Sequence, residues 1–220
     1  YVGFIDRARK NALKNVPEDK KAYFDKLSGA ELLSSNGNNL VSSAYPKGPG
    51  RNWNLRNGVP VLEKGLTDRD FEQGKAMFSA TTCKGCHTML GEGGATGPDL
   101  TQVGTRFTPK DILEAIVDPD KAISDQYAAT QFTLKNGNSI VGRLVNEDQL
   151  TYYVSQNPYA PETLEKVLKK NVASTKTSNV SMMFQGLINS LNEEEFKDLM
   201  AYLISAGNPK NPMFKAQVQK

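Results

Sequence analysis

The sequence predicts a mainly α fold with an inserted antiparallel β-hairpin or small sheet and a helical N-terminal extension. Three observations carry this: two amphipathic stretches with N-cap signals at 108–117 and 192–204, a run of alternating residues around Asn136-Gly137, and a weakly helical, basic start.

Residues 4–14 and 18–27 show weak helical periodicity with basic outer faces, and two short helices are expected there. From Ser34 to Gly58 the composition turns to Ser, Asn, Gly and Pro, without periodicity, and reads as a linker or wrapping segment. At Thr67 the pattern sharpens. Thr67 suits an N-cap, Asp68 and Asp70 suit the positive end of a helix, and Phe71, Gly74 and Phe78 share one face of a helix over about 68–79. Residues 88–107 form a Gly-rich loop. Thr108 then caps, and Pro109 opens, a helix whose Ile112, Leu113, Ile116 and Val117 face inward until Asp118-Pro119 stops it.

The period changes to two over Tyr127–Lys135, Ser139–Val145 and Leu150–Val154, with Asn136-Gly137 as a hairpin turn between the first two. Thr163–Leu168 is expected as a fourth strand, although Leu164, Val167 and Leu168 also fit a helical turn. In the last element Asn192 caps, Glu195 completes a capping box, and Phe196, Leu199, Met200, Leu203 and Ile204 line one face before Gly207 and Pro209.

With 220 residues, 38% hydrophobic and 23% charged, the chain is long enough to bury a core, and no transmembrane segment is expected, since no stretch nears the roughly 18 apolar residues of a span. The net charge of +3 combines a basic front with a slightly acidic remainder. No stripe interleaves Lys or Arg with aromatic residues, so nucleic-acid binding is not expected. The chain opens Tyr1-Val2-Gly3, without an initiator Met or a signal peptide, and reads as a mature secreted product or a piece of something longer.

Both cysteines lie in Cys83-Lys84-Gly85-Cys86-His87, and the chain has 1 His. Cys-x-x-Cys-His is the attachment signature of covalent haem c, in which two thiols add to the porphyrin vinyl groups and the adjacent imidazole reaches the iron. A zinc site would need further Cys or His ligands, and the sequence has none. One covalently bound haem c is therefore expected, with Cys83, Cys86 and His87 holding it.

The single His rules out bis-His ligation within the chain and leaves Met, Lys, Asn, Tyr or an open position as sixth ligand. Of 6 methionines, Met77 and Met200 sit on helix faces that must pack, Met213 lies in the terminal tail, and Met89 follows His87 too closely to reach the opposite haem face. Met182 and Met183, in a Ser/Thr/Asn-rich loop before the last helix, remain.

Gly74-Lys75-x-x-Phe78, Cys83-x-x-Cys86-His87-Thr88, Thr96-Gly97-Pro98-Asp99-Leu100 and Asp198-Leu199-x-Ala201-Tyr202-Leu203 together resemble the class I cytochromes c. The resemblance implies a cytochrome c fold with three core helices around haem. It also implies a Pro98 carbonyl that accepts from His87 Nδ1, Arg106 as a haem-propionate partner, and Gly74 against Tyr202.

A second resemblance, over about 67–215, is to the haem-binding domain at the ends of large secreted bacterial proteins of planctomycete, verrucomicrobial and Bacteroidetes type. Gly91-Glu92-Gly93-Gly94, Asp118-Pro119, Ile123-Ser124-Asp125-x-Tyr127 and Ser181-Met182-Met183-x-x-Gly186-Leu187 carry it. That resemblance implies Met183 as the second iron ligand, with Phe184 where the family usually has Pro. It divides the chain into 1–66, an extension read as the end of an upstream domain, and 67–220, a cytochrome c domain with its β insertion at about 127–172.

The implied function is one-electron transfer rather than enzymatic catalysis. The implied partners are redox proteins, with a periplasmic dehydrogenase as donor and a cytochrome or oxidase as acceptor, in a periplasmic or otherwise exported location. The alternative is a haem sensor or peroxidase-like enzyme with a labile sixth ligand.

Overall fold

The computed structural model describes residues 13–21 and 44–215. The helices expected over 4–14 and 18–27 fall largely outside the described residues, although 18–21 are helical.

The helical core is built from four longer helices: α1 Leu55–Glu63, α2 Phe71–Ala80, α5 Pro109–Val117 and α6 Glu193–Ile204, with two one-turn helices, α3 Cys83–Cys86 and α4 Val103–Arg106, between α2 and α5. Of the three N-caps expected from the sequence, Thr108 and Asn192 cap their helices as expected. Thr108 accepts from the Asp111 backbone while Asp111 reaches back, and Asn192 and Glu195 exchange the same pair of bonds.

Two features of the front differ from the sequence reading. Helix α2 is capped by Asp70, which accepts from Gln73 N, and not by Thr67. The chain ahead of it is drawn into a parallel bridge between Arg69 and Phe214, with Asp68 in the left-handed region at φ 55°. Helix α1 was not expected at all, because Gly58 and Pro60 both count against a helix. Its Asn54–Asn57 capping box and the burial of Val61 outweigh that local preference.

One core joins Trp53 and Val61 to Met77, Phe78, Ile112, Leu113, Ile188, Leu191, Phe196, Leu199 and Tyr202. Residues ahead of Thr67 therefore share the interior of the helical unit. Helices α2 and α6 cross at Gly74, where a Cβ would stand 2.3 Å from the Asp198 carbonyl oxygen, so only glycine permits the approach.

Between α5 and α6 lies a five-stranded antiparallel sheet of β3 Thr130–Leu134, β4 Ser139–Glu147, β5 Thr151–Ser155, β6 Leu164–Leu168 and β7 Val172–Thr177, in the order β6-β5-β4-β3-β7. The edge strands β6 and β7 are consecutive in the chain and joined only by Lys169–Asn171. Three residues span too little for a flat five-stranded sheet, so the sheet curls until its edges approach. Phe132, Val154 and Val167 fill the concavity. Strand β7 extends past the insertion limit of about 172 read from the sequence. Only Val172 of its Val-Ala-Ser-Thr-Lys-Thr is half-buried and the rest is exposed, so it gives no alternating signal.

The segments 87–102, which contains only a two-residue ladder of β1 Thr88–Met89 with β2 Glu92–Gly93, and 178–192 are irregular. They keep the helical share below what a mainly α reading expects.

Candidate functional site

Helix α2 ends where Thr81 Oγ1 donates to the Met77 carbonyl, and Thr82 turns the chain with φ 63°. The next residues close one tight turn, with His87 N–H bonded to the Cys83 carbonyl at 2.9 Å. This turn brings both thiols and the imidazole to one place at the end of α2.

The Gly-rich segment wraps that turn. Gly94 N–H donates to the Lys84 carbonyl at 2.9 Å and Gly97 N–H to the Cys86 carbonyl at 2.7 Å. A Cβ on Gly97 would lie 2.6 Å from His87 Cε1, so the missing side chain lets the backbone lie against the imidazole.

The Pro98 carbonyl oxygen stands 2.8 Å from His87 Nδ1. A carbonyl only accepts, so Nδ1 carries the proton and Nε2 keeps its lone pair for a metal. Burial lowers the His87 pKa against the opposing effect of the Pro98 bond, which favours the neutral imidazole a metal requires. Burial also pushes the Cys83 thiol up to about 11 and raises that of Cys86. Both cysteines are unpaired thiols.

The loop after β7 carries the two candidate methionines. Met183 is half-buried and packs against the core cluster that contains Cys83, whereas Met182 is not part of that cluster. Met183 N–H donates to Ser181 Oγ at 3.1 Å, and Ser181 N–H donates to Asp120 Oδ1 at 2.7 Å. Gln185 Nε2 approaches the other Asp120 oxygen at 3.4 Å. Asp120, just past α5, thus anchors both flanks of the methionine pair.

Arg106 ends α4 exposed, with its guanidinium 5.6 Å from the Phe107 ring centre. Among the described residues no hydrogen bond ties it to the Cys83–His87 turn.

Sequence reasoning did not single out Asp120, Pro158 or Tyr159. Pro158 and Tyr159 come from the β5–β6 connection and reach the cysteine turn: Thr96 Oγ1 donates to the Pro158 carbonyl at 3.1 Å, and the Tyr159 hydroxyl lies 2.9 Å from Thr82 Oγ1. The available signal was the length of that connection, far more than the two residues a hairpin needs.

Two unpaired thiols and a tautomer-fixed imidazole on one turn, with a thioether-bearing loop in the same core, are residues that fit a covalently bound haem. Residues 71–151 match the cytochrome c family model, which supports a c-type cytochrome. The match ends at the start of β5, ahead of Met183 and α6. No curated protein matches the chain. Among the described residues no helix is long and apolar enough to cross a membrane.

Proposed function

We propose that this chain is a monohaem c-type cytochrome that passes single electrons between redox proteins. In this reading Cys83 and Cys86 hold the haem by thioether bonds, and His87 and Met183 supply the iron ligands. The observation that carries the proposal is the 2.8 Å contact between His87 Nδ1 and the Pro98 carbonyl, because it fixes which nitrogen is left for iron.

When bound, haem c supplies an iron that changes by one electron between its ferrous and ferric states. The protein's work is to hold and tune. The Pro98 carbonyl keeps the imidazole oriented and electron-rich. The Met183 thioether favours the ferrous form and so raises the potential. Arg106, exposed beyond α4, would pair with a propionate. No side chain is asked to make or break a bond, which supports an electron carrier over an enzyme.

Residues 67–220 form the cytochrome c domain in this reading, with the curled sheet as its insertion and 1–66 as an extension whose Trp53 and Val61 enter the same core. The segment pattern supports kinship with the haem-binding domain of large secreted bacterial proteins. Haem c attachment is completed outside the cytoplasmic membrane, which supports a periplasmic or otherwise exported location. A periplasmic dehydrogenase as donor and a cytochrome or oxidase as acceptor suit that place, through weak and transient contacts.

A potentiometric titration of the haem-loaded chain tests the proposal. One reversible one-electron transition is expected, with a weak far-red band in the ferric protein that Met183→Ala removes. If Met183→Ala keeps the band and Met182→Ala loses it, the ligand assignment falls. Rapid carbon monoxide binding by the ferrous wild-type protein would instead favour the sensor or peroxidase-like reading.

A further inference from the structure

The connection between β5 and β6, residues 156–163, is longer than its hairpin requires, and it is internally braced. Tyr159 N–H donates to Asn157 Oδ1 at 3.0 Å, Ala160 N–H to the Asn157 carbonyl at 3.1 Å, and Thr163 N–H to the Ala160 carbonyl at 3.0 Å. It projects a buried Pro158 and a half-buried Tyr159 away from the sheet and into the helical unit.

One side of this loop is fastened to the cysteine turn. The Pro158 carbonyl accepts from Thr96 Oγ1 and lies 4.0 Å from Cys86 Sγ, while the Tyr159 hydroxyl bonds Thr82, the residue before Cys83. The other side is fastened to the methionine loop. The Tyr159 ring stacks on Phe184 with centroids 5.9 Å apart and planes inclined by 21°. Phe184 follows Met183 directly and is otherwise 52% exposed, so Tyr159 gives this aromatic ring its stacking partner.

From this arrangement we infer that Tyr159, carried by the inserted sheet, is a positioning residue for Met183. The inference rests on the His87/Met183 reading above. Met183 lies in an irregular segment with no helix or strand to hold it. Asp120 restrains that segment through Ser181 and Gln185, and the Tyr159–Phe184 stack restrains it on the far side of Met183. Because Tyr159 is itself tied to the turn bearing both thiols, the stack fixes the methionine loop relative to the haem attachment points and not merely to the sheet. The β insertion thereby becomes part of the haem site, and its loop decides how often the sixth position opens.

The test uses the full chain loaded with haem, in Tyr159→Ala, Tyr159→Phe, Phe184→Ala and the Tyr159→Ala/Phe184→Ala double variant. Tyr159→Ala is expected to weaken the far-red band, lower the midpoint potential, and speed carbon monoxide binding to the ferrous protein by about fivefold, the scale of one aromatic pair. Phe184→Ala should match it, the double variant should be no worse than either single change, and Tyr159→Phe, which keeps the stack but loses the Thr82 bond, should shift the same readouts in the same direction by less. Should Tyr159→Ala not fold, the half-exposed Phe184→Ala carries the comparison alone. Wild-type band and binding rate in Phe184→Ala or Tyr159→Ala, or effects that add in the double variant, overturn the inference. A wild-type protein whose far-red band is missing or survives Met183→Ala sinks the ligand reading itself, so the two failures are distinguishable.

Discussion

Trp53 stacks on Phe196, with ring centroids 4.1 Å apart and planes inclined by 20°, while its indole N–H donates to the Leu191 carbonyl at 3.0 Å. The contact ties the segment just ahead of α1 to the last helix and to the end of the methionine loop. Trp53→Ala removes a ring that is 3% exposed and leaves a void beside Phe196. Chemical denaturation should show a loss of about 3–5 kcal/mol.

Gly97→Ala would force a methyl group against the imidazole, where the Cβ would meet His87 Cε1 at 2.6 Å and Nδ1 at 2.8 Å. The backbone must retreat and carry the Pro98 carbonyl with it. A stability loss of about 1–3 kcal/mol is expected. The haem-loaded variant should also show a shifted midpoint potential, which a surface control such as Gly137→Ala would not.

Asp120→Ala leaves the Ser181 N–H and Gln185 amide without their carboxylate. Removal of these bonds should cost about 1–3 kcal/mol in denaturation. The ferrous haem protein should bind carbon monoxide faster than wild type, because the loop bearing Met183 is held from one side only.

Glu194 receives bonds from Lys197 at 2.8 Å and Arg69 at 2.6 Å, and these hold its carboxyl at about 2, well below its usual 4.5. A depressed carboxylate stabilises the fold above the unfolded value and loses that contribution as pH falls through the folded one. Stability should therefore decline between pH 4.5 and about 2, and Glu194→Gln should flatten that decline in denaturation midpoints measured across the window. The effect should be modest, since the carboxylate is largely solvent-exposed.

Much of the helical core was legible because its signals are local. Thr108-Pro109 and Asn192 with Glu195 announce their helices within four residues, and Cys83-x-x-Cys86-His87 names its cofactor within five. Three of the strands around Asn136-Gly137 were legible by their alternation. What escaped depends on distant partners. Helix α1 contains Gly58 and Pro60 and is held by tertiary packing. Strand β7 is a mostly polar edge whose pairing with β3 no local pattern reports. The cap of α2 moved from Thr67 to Asp70 because Arg69 pairs with Phe214 near the far end of the chain. At the site, the cysteine turn and the Pro98 carbonyl follow from short motifs. Asp120 and Tyr159 act across 61 and 77 residues, on Ser181 and Thr82 respectively, and nothing at either end reveals the other.

The most direct test of the central claim is the intact mass of the chain produced in a host that attaches haem c, compared with Cys83→Ser/Cys86→Ser. The account predicts a wild-type mass greater by one haem, which survives denaturation and maps to the peptide containing Cys83 and Cys86, and no addition in the double variant. A wild-type chain that stays at its polypeptide mass, or haem that leaves on denaturation, would contradict it.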